Sequence, residues 1–166
     1  MADSIFLLAE AIAFVINGTL HRYDLSPADQ AEIERFNFTI AAYSAEFEKP
    51  KIAFDRLIDY LNGATLRYYF RREYGPNRAA PLFTESLAGK IAVRREDALA
   101  ALESSDVVVL TNKTNRGNGP FDSTIIEYWD ALDEFAESNL KRRTTGTVGG
   151  IPYRIFVRDI SPIQTP

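Results

Sequence analysis

The sequence predicts an α/β domain, because segments with strand and helix patterns alternate along most of the chain. Residues 106–111 (DVVVLT) form a β-branched run without polar alternation, typical of a strand buried on both faces in a parallel sheet. Helical patterns lie on both sides of this run in the sequence, as parallel crossovers require. We therefore expect a three-layer sandwich with a mostly parallel, Rossmann-like sheet and a C-terminal antiparallel hairpin at one edge.

Length and composition limit the function classes. The chain has 166 residues, 46% of them hydrophobic and 25% charged, which suits one globular domain. With Cys 0 and His 1, disulfides, thiolate metal sites, cysteine nucleophiles and pairs of imidazoles are excluded. A net charge of −4 provides no field that attracts nucleic acid, so we expect no nucleic-acid partner.

The sequence predicts two parts, an apolar N-terminal helix at 1–19 and a single α/β domain at 20–166. Residues 5–16 are apolar on every helical face except at Glu10. A spanning helix needs about 20 apolar residues, and no basic region or cleavage site typical of a signal peptide is present. Two interpretations stay open: a helix buried in the core or at a dimer interface, and the membrane-proximal end of a helix in a longer parent chain.

The next segment has the clearest helix signals. Ser26 suits the N-cap, Pro27 the first helical position and Asp29 the acidic position of a capping box. Apolar residues follow at spacings of three and four, and predict an amphipathic helix that ends before Pro50. These residues are Ile33, Phe36, Ile40, Tyr43 and Phe47.

The middle of the chain has shorter patterns. Residues 51–55 (KIAFD) predict a buried strand, and 56–74 a helix stopped by Gly75-Pro76, with a kink or a break at Asn62-Gly63. A loop at 75–81, a weak strand at 90–93 and an alanine-rich helix at 95–103 come next.

The C-terminal part predicts a helix and a hairpin. Asp122 or Ser123 is expected to cap the helix, and its apolar residues recur up to Leu140. The basic residues 141–143 follow at its C-terminus, where they are expected to complement the helix dipole. Residues 144–148 then pair across Gly149-Gly150 with 153–158. The inward side chains of the predicted helix are expected to be Ile125, Trp129, Leu132, Phe135 and Leu140.

The glycine-rich loop after residues 106–111 is the first candidate site. Ligands of open α/β sheets bind beyond the carboxyl ends of the strands, where a helix N-terminus offers N–H groups to an anion. The loop fits neither a Walker motif nor GxGxxG, so a phosphate or sugar contact and a solvated connection both stay open. Its candidate ligand-binding residues are Asn112, Lys113, Thr114, Asn115, Arg116, Gly117, Gly119 and Ser123.

Asp55 and Asp59 form a second candidate group. Asp55, at the end of a strand, is able to hold Mg²⁺ or a ribose hydroxyl, and the alternative is that it caps the following helix. No hydrolase elbow is present and His21 lies in a linker, where we expect an exposed polar residue. We therefore predict no catalytic residue, no metal and no cofactor.

The basic and aromatic clusters each have a structural interpretation, which the sequence favours, and a functional interpretation, which it favours less. Arg71-Arg72, Arg94-Arg95 and residues 141–143 are scattered and offset by acids, which favours solvated faces over attraction to anionic lipid headgroups. The aromatic run at 68–74 favours core and subunit contacts over base stacking.

Four segments together carry a resemblance: KIAFDRLIDYLNGATLRYYFRREYG, ALAALESSDVVVLT, GPFDSTIIEYWDALDEFAESNL and IPYRIFVR. They resemble the soluble extracytoplasmic domain that follows the membrane helices in some bacterial polytopic glycosyltransferases, similar to the dolichyl-phosphate-mannose-protein mannosyltransferase group. The resemblance covers residues 20–158. It implies a parent enzyme that uses a polyprenyl-phosphate-sugar donor and whose catalytic acids lie between membrane helices, outside these residues.

Three functions therefore compete. The resemblance implies an accessory, inactive domain on the extracytoplasmic side of the membrane, which contacts acceptor, glycan or the membrane-embedded portion of its parent. The loop at 112–123 instead suggests a stand-alone domain that binds a nucleotide or phosphorylated sugar. The apolar stretch at 5–16 suggests a homo-oligomeric interaction domain.

Overall fold

The computed structural model describes residues 26–56, 63–83, 94–113 and 120–159. Within these ranges the chain forms four helices and five strands in alternating order. The elements are α1 (Pro27–Ser44), β1 (Lys51–Phe54), α2 (Gly63–Tyr74), β2 (Leu82–Phe83), α3 (Arg95–Glu103), β3 (Val107–Thr111), α4 (Pro120–Asn139), β4 (Lys141–Val148) and β5 (Ile151–Val157).

The strands form one mixed sheet in the order β2-β1-β3-β5-β4. β1 pairs in parallel with β2 and β3, whereas β5 is antiparallel to both β3 and β4. The predicted α/β class and the antiparallel hairpin at one edge are confirmed. β3 lies inside the sheet with all five residues buried, as its unbroken apolar run predicts.

Alternate residues of the strands enter two separate apolar clusters. Ile52 and Phe54 of β1 belong to a cluster with side chains of α1 and α2, and Ala53 belongs to another with side chains of α3 and α4. Val107 and Val109 likewise join the first cluster, and Val108 the second. This division follows from the two-residue period of a strand, which sends successive side chains to opposite faces.

The capping box of α1 is confirmed. Ser26 Oγ accepts from the backbone N–H of Asp29 at 3.2 Å, and Asp29 Oδ2 accepts from the backbone N–H of Ser26 at 3.1 Å. The helix ends at Ser44, whose hydroxyl donates to the carbonyl of Ile40 at 2.8 Å. Phe47 therefore lies in the following turn, half-buried against the first cluster.

One expectation about α4 is wrong and one is extended. The helix begins at Pro120, so Asp122 and Ser123 lie inside it and do not cap it; proline favours a first helical position because it lacks an N–H. Residues 141–143 follow the helix end as expected, and they also begin β4, where Lys141 and Arg142 pair with Val157 and Phe156 and lengthen the hairpin.

Other expectations differ in extent or lie outside the described residues. β2 follows the loop at 75–81 and has no counterpart among the predicted strands. The described part of α2 begins at Gly63. The predicted weak strand at 90–93, the apolar stretch at 5–16 and His21 are outside the described ranges.

Candidate binding site at the carboxyl ends of β1 and β3

The parallel strands β1 and β3 end at the same side of the sheet, and the residues that follow them meet there. We call this region the carboxyl edge; it is defined by Asp55 after β1 and by Thr111, Asn112 and Lys113 at the end of β3. Phe54 is the Cα partner of Val109. Asp55, the next residue, therefore lies beside the C-terminal end of β3. Three sequence candidates, Asp55, Asn112 and Lys113, are thus brought to one place.

Asp55 fixes the geometry of the carboxyl edge. Both of its carboxylate oxygens lie 3.0 Å from the backbone nitrogen of Thr111, and Oδ2 also accepts from the Thr111 hydroxyl at 3.1 Å. The indole N–H of Trp129 donates to the same Oδ2 at 3.1 Å. With Asp55 only 1% exposed, these donors compensate the burial of its carboxylate and join β1, β3 and α4.

Trp129 brings α4 to the carboxyl edge. The helix has a non-helical residue at Tyr128 (φ −120°, ψ 17°), immediately before the tryptophan. The Trp129 ring belongs to the second apolar cluster, while its polar nitrogen reaches Asp55. An indole placed in this way combines apolar packing with a directed hydrogen bond.

Arg154 lies next to the Trp129 ring. Its guanidinium carbon lies 5.4 Å from the centroid of that ring, within the range of a cation–π contact. The same guanidinium forms ion pairs with Asp133 at 2.6 Å and with Glu137 at 3.1 Å, both on α4. The positive charge of Arg154 is therefore balanced within the fold, and its contacts hold β5 against α4.

Lys113 lies at the outer rim of the carboxyl edge. Its ammonium group is 2.6 Å from Asp130 Oδ2, and both side chains are exposed. An ammonium group has three donors, so this ion pair leaves Lys113 able to contact an anion from solvent. Asn112 beside it is half-buried.

Two tyrosines near the carboxyl edge remain protonated at neutral pH. Burial raises the pKa of Tyr128, and the charges of Glu127 and Asp97 add to the effect. Burial also raises the pKa of Tyr153, aided by Glu32 and opposed by Arg35. Both phenols therefore act as hydrogen-bonding groups and not as bases at neutral pH.

The remaining candidates have different outcomes. Residues 114–119, which include Thr114, Asn115, Arg116, Gly117 and Gly119, are outside the described ranges, as is Asp59. Ser123 lies in the N-terminal part of α4. Across the described ranges, no cluster of three or more His, Asp or Glu side chains has a metal-binding arrangement.

Sequence reasoning missed the partners of Asp55. It placed Trp129 on the inward face of a helix, which is correct, but nothing in the 74-residue separation indicated the contact of its indole N–H. A polar residue directly after each of two buried strands was the available signal, because such residues meet when the strands are parallel.

The helices within the described ranges include none with both the length and the apolar character needed to cross a bilayer. Compared with protein-family models, curated proteins and solved structures, the chain matches none of them.

Proposed function

We propose that the chain is an accessory, non-catalytic domain of a membrane glycosyltransferase that uses a polyprenyl-phosphate-sugar donor. It would lie on the extracytoplasmic side of the membrane and contact acceptor, glycan or the membrane-embedded portion of its parent. The four segments that carry the resemblance contain β1, α2, β3, α4 and β5, so they supply most of the framework of the domain.

The observation that carries the proposal is that the buried Asp55 carboxylate already accepts hydrogen bonds from groups of the fold itself. A catalytic carboxylate needs access to a substrate, but this one is buried and accepts from Thr111 and Trp129 within the fold. Arg154 is likewise held by ion pairs with Asp133 and Glu137. Groups used in this way stabilise a scaffold, which supports a binding or assembly role over a reaction centre.

For the architecture, we propose a three-layer sandwich of Rossmann-like type. Support comes from the two apolar clusters, one with side chains of α1 and α2 and one with side chains of α3 and α4, which use alternate residues of the same strands. The parallel order β2-β1-β3 adds to this support, while the antiparallel β5 and β4 replace the further parallel strands of a larger sheet.

An antibody against the chain tests the proposal in the source cells. We expect it to detect the domain in the membrane fraction, as part of a larger polypeptide or bound to a polytopic glycosyltransferase. It should also reduce sugar transfer from the polyprenyl-phosphate-sugar donor. The purified chain should transfer no sugar by itself. Detection only as a free chain in the soluble fraction, with no associated transferase, would contradict the proposal.

A second candidate function is binding of a nucleotide or phosphorylated sugar through the loop at 112–123. It is favoured by the position of Lys113, which follows a parallel strand and lies beside α4. Calorimetric titration of nucleotides and sugar phosphates tests this function, with Lys113→Ala and Arg116→Ala expected to weaken binding. Lys141→Ala on β4 is the matched control. Absence of saturable binding, or equal effects of all three substitutions, would exclude this second function.

A further inference from the structure

The outer edge of β4 carries backbone groups that bond to no other part of the described chain. β4 lies at one end of the sheet, and among the described strands only β5 pairs with it. Thr145, Gly146 and Thr147 are exposed. The strand at the opposite end, β2, has only two residues, so β4 provides the longer free edge. An open edge of this kind is a template for a further strand.

The hairpin turn shows which residues of β4 direct their backbone groups to this edge. The turn at 149–150 has φ values of 55° and 74°, which match a type I′ turn closed by Val148 and Ile151. The closing pair of such a turn is hydrogen-bonded, and hydrogen-bonded and non-hydrogen-bonded pairs alternate along an antiparallel ladder. Thr147 and Thr145 therefore occupy non-hydrogen-bonded positions, where the N–H and C=O groups point away from β5.

Two further observations support this orientation. The ladder partner of Thr147 is Pro152, which has no N–H and suits a position that exchanges no hydrogen bond with the neighbouring strand. Val148 is buried in the first apolar cluster, so strand alternation places the side chains of Thr145 and Thr147 on the opposite face of β4. Both threonines thus present exposed side chains as well as outward backbone groups.

Only the first part of β4 is protected against pairing. Residues 141–143 are basic, and the ladder has a bulge between Arg142 and Thr144; charges and bulges both discourage contacts between strand edges. The following residues, 144–148, carry no charge, contain no proline and pair with β5 without a further register shift. We call residues 144–148 the β4 edge segment; it is the part of β4 that can accept another strand.

The β4 edge segment is complementary to a second copy of itself. In an antiparallel pair with a two-fold axis at Gly146, Thr145 of each copy lies opposite Thr147 of the other. The outward N–H and C=O groups of the two threonines then form hydrogen-bonded pairs. Threonines opposite one another on antiparallel strands also make favourable side-chain contacts.

Charge complementarity favours a second copy as the occupant. In the two-fold arrangement, the basic residues 141–143 of each copy lie beside the hairpin turn of the other. At that turn Glu32 accepts from the backbone N–H of Gly149 at 3.2 Å. The pairing therefore brings a basic strand end next to an acidic side chain, and it keeps the two basic ends apart.

We propose that two copies of the chain associate by antiparallel pairing of their β4 edge segments, with Gly146 at the two-fold axis. The two sheets then form one continuous sheet. The inference goes beyond the proposed accessory role and does not depend on it, because it stands on the geometry of β4. Five residues from each copy bury little surface, so we expect weak association with a dissociation constant in the micromolar range.

Analytical ultracentrifugation of the full chain between about 1 μM and 1 mM tests the inference. We expect the mass to rise from that of one chain to that of two. Hydrogen exchange measured by NMR locates the contact. The amides of Thr145 and Thr147 should exchange more slowly at high protein concentration, whereas the amide of Gly146, which is bonded within the hairpin, should change less.

Thr145→Pro removes one outward N–H from each copy. Proline is tolerated at an edge position whose N–H does not bond to the neighbouring strand, so the hairpin should be retained. The variant should associate at least about 25-fold more weakly, since two hydrogen bonds are lost per dimer and each contributes about fivefold. Thr145→Val, which retains the N–H, is the matched control and should associate within about threefold of wild type. Circular dichroism and urea denaturation check that each variant folds.

A pair of double variants tests the register without proline. Thr145→Lys with Thr147→Lys places like charges opposite one another twice across the two-fold axis. Thr145→Lys with Thr147→Glu places opposite charges there. Both sites are exposed, so both proteins should fold, and the first should associate on the order of tenfold more weakly than the second.

Three results would overturn the inference. The first is a single-chain mass over the whole concentration range, even if an extended acidic peptide then bound to β4. The second is association that Thr145→Pro leaves unchanged, which would assign the contact to another surface such as residues 5–16. The third is equal association of the two double variants, which would exclude the two-fold register at Gly146. The antibody test of the proposed function is unaffected by any of these results.

Discussion

Asp55 and Trp129 are 74 positions apart in the sequence, yet the indole N–H of the tryptophan lies 3.1 Å from a carboxylate oxygen of the aspartate. The contact joins the end of β1 to the middle of α4. Because the same carboxylate also accepts from Thr111, it fixes two strands and a helix at the carboxyl edge. A single buried side chain therefore links three elements of the fold at this edge.

Replacing Asp55 by Asn should destabilise the protein strongly. The amide would present an NH₂ group to donors that now meet a carboxylate oxygen, and buried donors left without an acceptor cost free energy. We expect the free energy of unfolding to fall by about 3 kcal/mol, measured by urea denaturation. Asp130→Asn is the matched control, because Asp130 forms an exposed pair with Lys113 and should change stability by less than about 1 kcal/mol. Equal losses for the two variants would show that the burial of Asp55 has no special role.

Trp129→Phe separates the hydrogen bond from the apolar packing. Phenylalanine retains an aromatic ring in the second cluster but removes the N–H, so we expect a loss of about 1–3 kcal/mol. The double variant with Asp55→Asn should lose less than the sum of the two single changes, because both disrupt one interaction. Urea denaturation of all four proteins gives the coupling energy. Strict additivity would indicate that the two side chains do not interact in solution.

The elements predicted correctly depend on local signals. Ser26 and Asp29 form a capping box within four residues, and Gly149 and Gly150 supply the positive φ values of 55° and 74° that a tight hairpin requires. β3 is recognisable from its own composition. In each case the decisive interactions lie within the segment itself.

The features missed by sequence reasoning depend on distant partners. β2 has only two residues and is recognised by its parallel pairing with β1, including the hydrogen bond from the Leu82 N–H to the Pro50 carbonyl at 2.8 Å. Lys141 and Arg142 have the charge expected at a helix end, but pairing with β5 places them in a strand. Tertiary contacts of this kind override local preference, and a single sequence contains no direct signal for them.

Gly146 allows a close contact in the hairpin that a larger residue would disturb. It is the Cα partner of Tyr153, and a Cβ atom on it would lie 2.7 Å from the tyrosine oxygen and 2.9 Å from the ring. Gly146→Ala should therefore lower the free energy of unfolding by about 1–3 kcal/mol, as measured by urea denaturation.

Combining Gly146→Ala with Tyr153→Ala isolates the cause. If the tyrosine ring is what the new methyl group meets, the glycine substitution should cost little once the ring is removed. An unchanged cost in the Tyr153→Ala background would instead assign the effect to the backbone of β4.

Tyr69 should make stability depend on pH in alkaline solution. Burial raises the pKa of Tyr69 from 10.0 to about 12, with the charge of Glu34 adding to the effect, the neighbouring Tyr68 contributing and Arg72 opposing it. The folded protein thus holds this proton more tightly than the unfolded chain does. The corresponding stability is fully present below pH 10 and is lost as the pH rises from about 10 to 12. Two pKa units correspond to about 2–3 kcal/mol.

Urea denaturation at several pH values, for wild type and Tyr69→Phe, measures this contribution. Across that interval the wild-type free energy of unfolding should fall more steeply than that of the variant, because phenylalanine has no proton to lose. The near-ultraviolet absorbance of tyrosinate in the native protein should also show one late-titrating group fewer in the variant. Parallel pH profiles for the two proteins would mean that the Tyr69 hydroxyl is as well solvated in the folded chain as in the unfolded one, and that the α1–α2 contact around it opens readily.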